Sequence, residues 1–511
     1  MNTSQIVDRR SWLWLIVGAL LLCFTSVQPA LPIAAWLAPV FLLRFTRTQR
    51  PRVGLPILAL VMVVVMSGKW AIGFAPVTML GISGAIAALL TMSGYVADRW
   101  LTPRVSGVAK TLVFPLALTS VDWLGSTLAG PLAPDLLPSF FSAAATWNSP
   151  AYTQSGNLPL MQIVSITGLW GLTFLIAWFA SVVNALWEHS FDWRPVRLDL
   201  LALAGVLVAV HLFGGARLAF FPPAAKTVQV AGIVPREDLF TAITDLNPQE
   251  LMPGTADQRN AARTRFTPIV NDLFTRSQQA VDNGAKIIVW GETAAPTLEE
   301  DTATVLERAA QLARSAHVYL QVGLFVINNS DHYPFLQNRA VLLDPVGAVV
   351  WDYHKARPTP GENMQVAAGP SVVPTVDTPY GRLATVICYD ADFPALVGQA
   401  GRAGVDILLL PYKDWASVSV QHAQMATFRA VENGVSLVRP TLSGLSTAVD
   451  AQGHTLAQVD AFTTDAPTLV ANVAIQGSPT LYGLIGDAFA YLCIAALLWL
   501  TARTVLRAKG A

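Results

Sequence analysis

Between residues 11 and 217 the chain is a near-continuous series of apolar runs, and one further run closes it at 482–503. A helix needs about 20 mainly apolar residues to cross the hydrocarbon core. In lipid, only helices and closed barrels satisfy their own backbone. Runs at 12–28, 30–46, 53–68, 70–94, 108–130, 160–187, 198–217 and 482–503 therefore predict a helical bundle of about eight spans. Seven stays open, because the first two runs and the third and fourth are closely spaced. Only 13% of residues are charged, against about 25% in a soluble chain. The first run follows Asp8-Arg9-Arg10 with no clear small-residue cleavage site before the next run, so it reads as a span and not as a signal peptide.

The loops give an orientation. Arg9 and Arg10 precede the first run, and Arg44, Arg47, Arg50 and Arg52 lie between the second and third. Arg99, Arg104 and Lys110 follow the fourth, Arg194 and Arg197 the sixth, and Arg503, Arg507 and Lys509 the last. Residues 131–159 hold no Lys or Arg, and the hairpin after the third run has only Lys69. The positive-inside rule places both termini and the basic loops in the cytoplasm. With seven spans before it, the polar stretch 226–478 faces outward, away from the cytoplasm. Net charge is zero and no basic block stands out, which points away from nucleic acid.

The domain plan is thus a bundle over 1–217, a soluble domain over 226–478 and a final span at 482–503. Within the soluble domain, strand-like and helix-like segments alternate. Strands are expected at 226–234, 285–292, 318–327, 338–345, 348–355, 381–390 and 406–412. Helices are expected at 255–283, 301–316, 394–403 and 417–433, with short strands to about 475. This α/β pattern with hairpins fits a sandwich of sheets with helices outside.

Working residues in α/β folds gather where strands end. Three expected strands end in a reactive side chain: Glu292, Lys355 and Cys388. Each has a plainer reading alone, as a solvated acid, a surface cation and a small buried hydrophobe. Together they suffice for acyl transfer. A carboxylate can take the thiol proton, the thiolate can attack an acyl carbonyl, and an ammonium can stabilise the oxyanion. Cys23 and Cys493 lie in apolar runs, so Cys388 is the one thiol of the outward domain. No Gly-x-Ser-x-Gly elbow competes with it. His354 and His422 make no metal spacing, so neither a metal nor a cofactor is expected.

Glu, Lys and Cys in this order resemble the catalytic triad of the nitrilase (carbon-nitrogen hydrolase) superfamily, carried here by VWGET (289–293), YHKARPTPGE (353–362) and VICYDADFP (386–394). Set among membrane spans, the chain resembles the apolipoprotein N-acyltransferase family. SGNLPLMQIVSITGLWGLTFLIAW (155–178), QHAQMATFRAVENGVSLVRP (421–440) and Gly486-Asp487 are similar to further segments of that family. The resemblance implies an α-β-β-α sandwich and a two-step reaction. Cys388 would take an acyl chain from a membrane phospholipid as a thioester, then pass it to the N-terminal amine of a diacylglyceryl-cysteine lipoprotein. It also implies Glu292 as general base, Lys355 as oxyanion stabiliser and Glu362 as the carboxylate orienting Lys355. Trp290, Tyr389 and Asp390 would line the pocket, with Trp415 as a further supporting residue.

Several positions depart from the family pattern. Trp-Pro-Glu is Trp290-Gly291-Glu292, and the stretch from Lys355 to Glu362 is one residue shorter. Cys-Tyr-Glu is Cys388-Tyr389-Asp390, Asn-Asp-Ala-Trp-Phe is Tyr412-Lys413-Asp414-Trp415-Ala416, and Asn-Thr-Gly is Leu442-Ser443-Gly444. Arg357 and Lys413 add cations near the site, which opens the alternative of another, anionic acceptor. Transfer to a different amine, a membrane-bound amidase and a non-catalytic scaffold are the competing readings. In the bundle, Trp123, Trp147 and Trp170 read as interfacial anchors, and Asp122 as a costly charge facing a polar cavity.

Overall fold

The computed structural model describes residues 8–25, 28–73, 77–128, 145–246, 248–251 and 254–509. The chain divides into two compact units, Met1–Phe221 with Ile485–Ala511, and Pro222–Leu484.

The first unit is helical. Helices Ser11–Leu22, Pro32–Thr48, Pro51–Gly73, Val77–Leu101, Ala109–Leu128, Leu169–Glu188, Arg197–Phe220 and Ala488–Lys509 follow the apolar runs. Parts of the expected spans 12–28, 70–94 and 108–130, and most of the cation-free loop, lie outside the described residues. Among the described residues, four helices are long and apolar enough to cross a membrane: Pro51–Ala71, Leu169–Glu188, Arg197–Phe220 and Ala488–Arg507. Ser11–Leu22, at 12 residues, reaches only about 18 Å at the helical rise per residue. The run expected over 160–187 is broken. Short helices end at Gly168, whose φ of 64° stops the helix before Leu169 restarts it.

Buried polar contacts tie the bundle together. Arg47 pairs with Asp98 at 2.6 Å and with Glu188 at 3.2 Å. Asp122 accepts hydrogen bonds from Ser149 Oγ and Thr173 Oγ1, both at 2.9 Å, and lines a cavity with Lys69 and Asn148. The tryptophans correct one expectation. Trp147 and Trp170 are buried, and the indole N–H groups of Trp123 and Trp170 both donate to Asp487. Trp123 and Trp170 thus act as donors to an acid, because a carboxylate in a bundle needs such partners.

The second unit is a sandwich of two sheets. The first sheet runs Thr468–Ala474, Thr227–Ile233, Ile287–Trp290, Tyr319–Ile327, Leu336–Leu343, Val349–His354, with Ala295–Leu298 also beside Tyr319–Ile327. The second runs Thr455–Asp460, Leu445–Val449, Ser436–Arg439, Ile407–Leu409, Gly381–Thr385, Thr375–Thr378. Central strands pair in parallel in both sheets, and their residues are buried on both faces, as parallel strands require.

Helices Ala256–Asp282 and Thr302–Ala316 cover the first sheet through Ile269, Leu273, Phe274, Ala309 and Ala313. Thr255 opens the longer one with a capping box to Gln258. Helices Pro394–Arg402 and Ala416–Asn433 belong to the second sheet, the latter packed on its strands. It stops at Gly434, in the left-handed region with φ 68°. The observed layers are α-β-β-α.

One strand ends earlier than its sequence suggests. A strand was expected over 381–390, but it stops at Thr385. Its ladder with Ile407–Leu409 closes at the Thr385–Leu409 pair. Pro411 has no amide to extend it, and its carbonyl accepts the Cys388 N–H instead, at 3.0 Å.

Candidate active site

The departure at Thr385 shapes the surroundings of Cys388. Cys388 opens a one-turn 3-10 segment, Cys388–Asp392, with φ 47°. A side chain rarely adopts that conformation, and such strain marks sites held by their surroundings. Thr293, next to Glu292, shares it at φ 53°.

Lys355 follows directly on the strand Val349–His354. Its N–H donates to the Asn338 carbonyl at 3.0 Å. Its Nζ donates to Glu292 Oε1 at 2.7 Å and to Glu362 Oε2 at 2.8 Å. Asn338 Nδ2 bridges the same two carboxylates, at 2.8 Å and 2.9 Å, and Thr359 N donates to Glu362 at 2.9 Å. Lys355 and Glu292 are both buried. Burial alone would lower the Lys355 pKa, but the two carboxylates outweigh it and hold the ammonium well above its ordinary value. Burial pushes Glu362 up, but Lys355 pulls it below the usual range.

The chain reaches Glu292 through a close approach. Glu292 N donates to the Tyr412 carbonyl of the second sheet's side at 3.3 Å. A Cβ on Gly323 would meet the Gly291 carbonyl oxygen at 1.9 Å, and one on Gly291 would meet Val234 at 2.6 Å.

The Cys388 thiol is buried and lies 3.6 Å from the Lys413 carbonyl oxygen, its acceptor. Burial raises its pKa well above the ordinary value, Glu292 raises it further, and Lys355 lowers it. The raised pKa favours the thiol form of Cys388, so any reaction through its sulfur needs a base to take the proton.

The supporting residues separate. Asp390 is a brace: Oδ2 accepts from Tyr353 OH at 2.8 Å and Ile387 N at 2.9 Å, and Oδ1 from Arg357 N at 2.7 Å. Burial raises its pKa to about 6, against these donors and Lys355. It ties the chain after Lys355 to the turn that carries Cys388. Trp290 goes elsewhere. Its indole donates to Ser277 Oγ at 2.9 Å and meets Phe274 edge-on, so it belongs to the core under the helices and not to a pocket lining. The strand is buried on both faces, and this residue falls on the helix side. Tyr389 is buried against the Phe393 ring, and Trp415 is 46% exposed.

Sequence reasoning missed Asn338 and Tyr353, and it gave His422 no role beyond noting that it makes no metal spacing with His354. His422 sits among Asp392, Asp414 and Cys388, and one ligand atom from each of Cys388, Asp414 and His422 lies within 4.8 Å of the others. Such a cluster suits a soft metal ion by residue type. However, His422 Nδ1 faces Asp414 Oδ1 at 2.7 Å and Nε2 faces Asp392 at 3.0 Å. With both nitrogens engaged by carboxylates, the ring offers no lone pair to a metal.

Two family models match the chain: the carbon-nitrogen hydrolase over residues 255–478, and the apolipoprotein N-acyltransferase N-terminal domain over residues 18–182. The chain belongs to the apolipoprotein N-acyltransferase family. A relative so named in Geobacter metallireducens is 27% identical over 97% of this chain and 95% of its own. One in Bradyrhizobium diazoefficiens is 27% identical over 84% and 79%. One in Haemophilus influenzae is 28% identical over 67% and 66%. Among solved structures, the chain is similar to an amidase from Nesterenkonia sp. at 20% identity and TM-score 0.37, over 50% of this chain and 94% of that one. That likeness is too distant to add to the assignment. Within the family frame, Glu292, Lys355, Glu362 and Cys388 all fall in the carbon-nitrogen hydrolase match, and the enzyme is an acyltransferase.

Proposed function

We propose that the protein moves a fatty acyl chain from a membrane phospholipid, through a thioester on Cys388, to the N-terminal amine of a diacylglyceryl-cysteine lipoprotein. Lys355 carries this reading: its ammonium is clamped between Glu292 and Glu362, within electrostatic reach of a thiol in a strained turn.

In the first step Glu292 takes the Cys388 proton as the sulfur attacks the ester carbonyl. The oxyanion forms beside Lys355, whose charge is worth more in a water-poor site. Collapse breaks the ester C–O bond, and the glycerol oxygen leaves with the proton from Glu292 as a lysophospholipid. In the second step the acceptor amine attacks the thioester and gives a proton to Glu292. The C–S bond breaks, the proton returns to sulfur, and the amide product departs. Glu362 and Asn338 keep Lys355 aimed, so that the base can change protonation state without losing its neighbour.

The name of the relatives, apolipoprotein N-acyltransferase, supports an apolipoprotein as the acceptor acylated at nitrogen; the phospholipid donor rests on the family resemblance of the sequence. Eight spans, the bacterial inner membrane and a periplasmic catalytic domain belong to the same proposal, supported by the loop charges and by the order of helices along the first unit.

Intact mass spectrometry tests it, with phospholipid alone and then with a diacylated lipopeptide. The expected result is an acyl adduct on Cys388 that the lipopeptide discharges to triacylated product. An adduct discharged only by water would replace transfer by hydrolysis, and one that the lipopeptide leaves in place would send the search to another amine. No adduct in folded protein would overturn the acyl-enzyme reading.

A further inference from the structure

The strand and turn that meet at Cys388 are joined by buried charges outside the triad. His422, on helix Ala416–Asn433, has Nε2 at 3.0 Å and 3.2 Å from the two oxygens of Asp392. Its Nδ1 lies 2.7 Å from Asp414 Oδ1. A carboxylate on each ring nitrogen requires a donor at both, which only the imidazolium provides. Asp414 Oδ2 accepts from Arg439 Nη2 at 2.5 Å. Arg439 also donates to Thr441 Oγ1 at 2.9 Å and the Leu445 carbonyl at 2.7 Å. All four charged residues are buried. Two acids, an imidazolium and a guanidinium sum to zero, and charges buried in this way are tolerated only when paired and hydrogen-bonded.

Asp392 ends the turn that Cys388 begins. Asp414 follows Lys413, whose carbonyl accepts the thiol. His422 thus joins the two segments on either side of the sulfur. Asp414 lies within Tyr412-Lys413-Asp414-Trp415-Ala416, where the chain departs from the family's Asn-Asp-Ala-Trp-Phe.

We propose that His422, as a cation between Asp392 and Asp414, is a positioning residue that clamps Cys388 for acylation and cancels the negative charge beside its sulfur. The inference rests on Cys388 being the nucleophile. Without the His422 proton the clamp loses a hydrogen bond and leaves one uncompensated negative charge near a sulfur that must become a thiolate. Burial would lower the His422 pKa, but Asp392 and Asp414 raise it to about 9. Other charged or titratable groups that face it include Cys388, Tyr412 edge-on at 4.7 Å, and Arg439 through Asp414. Tyr412 is pushed well above its ordinary range by burial first and then Asp392. Burial would lower the Arg439 pKa, but Asp414 raises it. Burial raises the thiol, which leaves His422 as the member of this cluster that titrates near pH 9.

The test uses the full chain in detergent, with two readouts: acyl-adduct formation from phospholipid against pH, and iodoacetamide alkylation located at Cys388 by peptide mass spectrometry. In the native protein, the acylation rate falls as pH rises through about 9. His422→Gln removes that limb, slows acylation roughly 100-fold, the scale of a misplaced reacting group, and leaves KM for phospholipid unchanged. Asp392→Asn keeps the His422–Asp414 pair and moves the limb below pH 9; it decides the matter if His422→Gln does not fold. A limb that stays in place in the folded variants, with native alkylation rates, overturns the clamp. Activity retained in Cys388→Ala overturns the acyl-enzyme reading instead, while the alkylation rate in the His422 and Asp392 variants still reads the clamp.

Discussion

Lys355 sits where two carboxylates need one cation. Replacing it with Ala leaves Glu292 and Glu362 buried without their counter-ion, a loss that costs about 3–5 kcal/mol when one partner of a buried pair is removed. We expect Lys355→Ala to form adduct roughly 100–1,000-fold more slowly, with a lower melting temperature in the same preparation. Asp390 gives a different prediction. It is fully buried, and its oxygens already meet Tyr353, Ile387 and Arg357. Asp390→Glu restores the residue usual in the family yet adds a methylene to a filled site. The expected cost is about 1–3 kcal/mol, read by denaturant unfolding. For His422, stability has its own pH window. The folded pKa of about 9 exceeds the ordinary 6.5, so its contribution is complete below 6.5 and is lost as pH rises through 9. Melting temperature should drop between pH 7 and pH 10 by more in the native protein than in His422→Gln.

The elements set these residues in place by close backbone approach. Strand Tyr319–Ile327 passes Gly291 so tightly that a Cβ on Gly323 would overlap a backbone carbonyl. Gly323→Ala must therefore shift either the strand or the segment that delivers Glu292. We expect destabilisation of about 1–3 kcal/mol or more and loss of adduct formation. A melt and an adduct assay at the permissive temperature would check it. The helices and longer strands around this point follow the periodicity of the sequence, though the short strand Ala295–Leu298 beside Tyr319–Ile327 has no such signal. The strand Thr375–Thr378 and the break at Thr385 do not. The first is a partly exposed edge with little apolar signal. The second depends on Pro411, 26 residues away, which ends the ladder from the opposite side.

At the scale of the whole molecule, the loop charges predict a sidedness that labelling can read. Val346 is 71% exposed in the second unit, and Phe191 is 60% exposed beside the basic loop of the first. In intact cells a membrane-impermeant maleimide should label Val346→Cys from outside, and Phe191→Cys only after the inner membrane is opened. The reverse pattern would invert the proposed topology. Hydropathy period and strand-end chemistry are local signals, so the helical first unit, the α/β second unit and the reactive types Glu292, Lys355 and Cys388 were legible in the residues alone. Tertiary structure alone decided that Trp290 is core, that Asp390 is a brace, that Cys388 sits at positive φ, and that Asp392, His422, Asp414 and Arg439 share one buried network. These outcomes depend on which distant groups meet once water is excluded, and a buried charge reads in sequence like an exposed one until its partner is known.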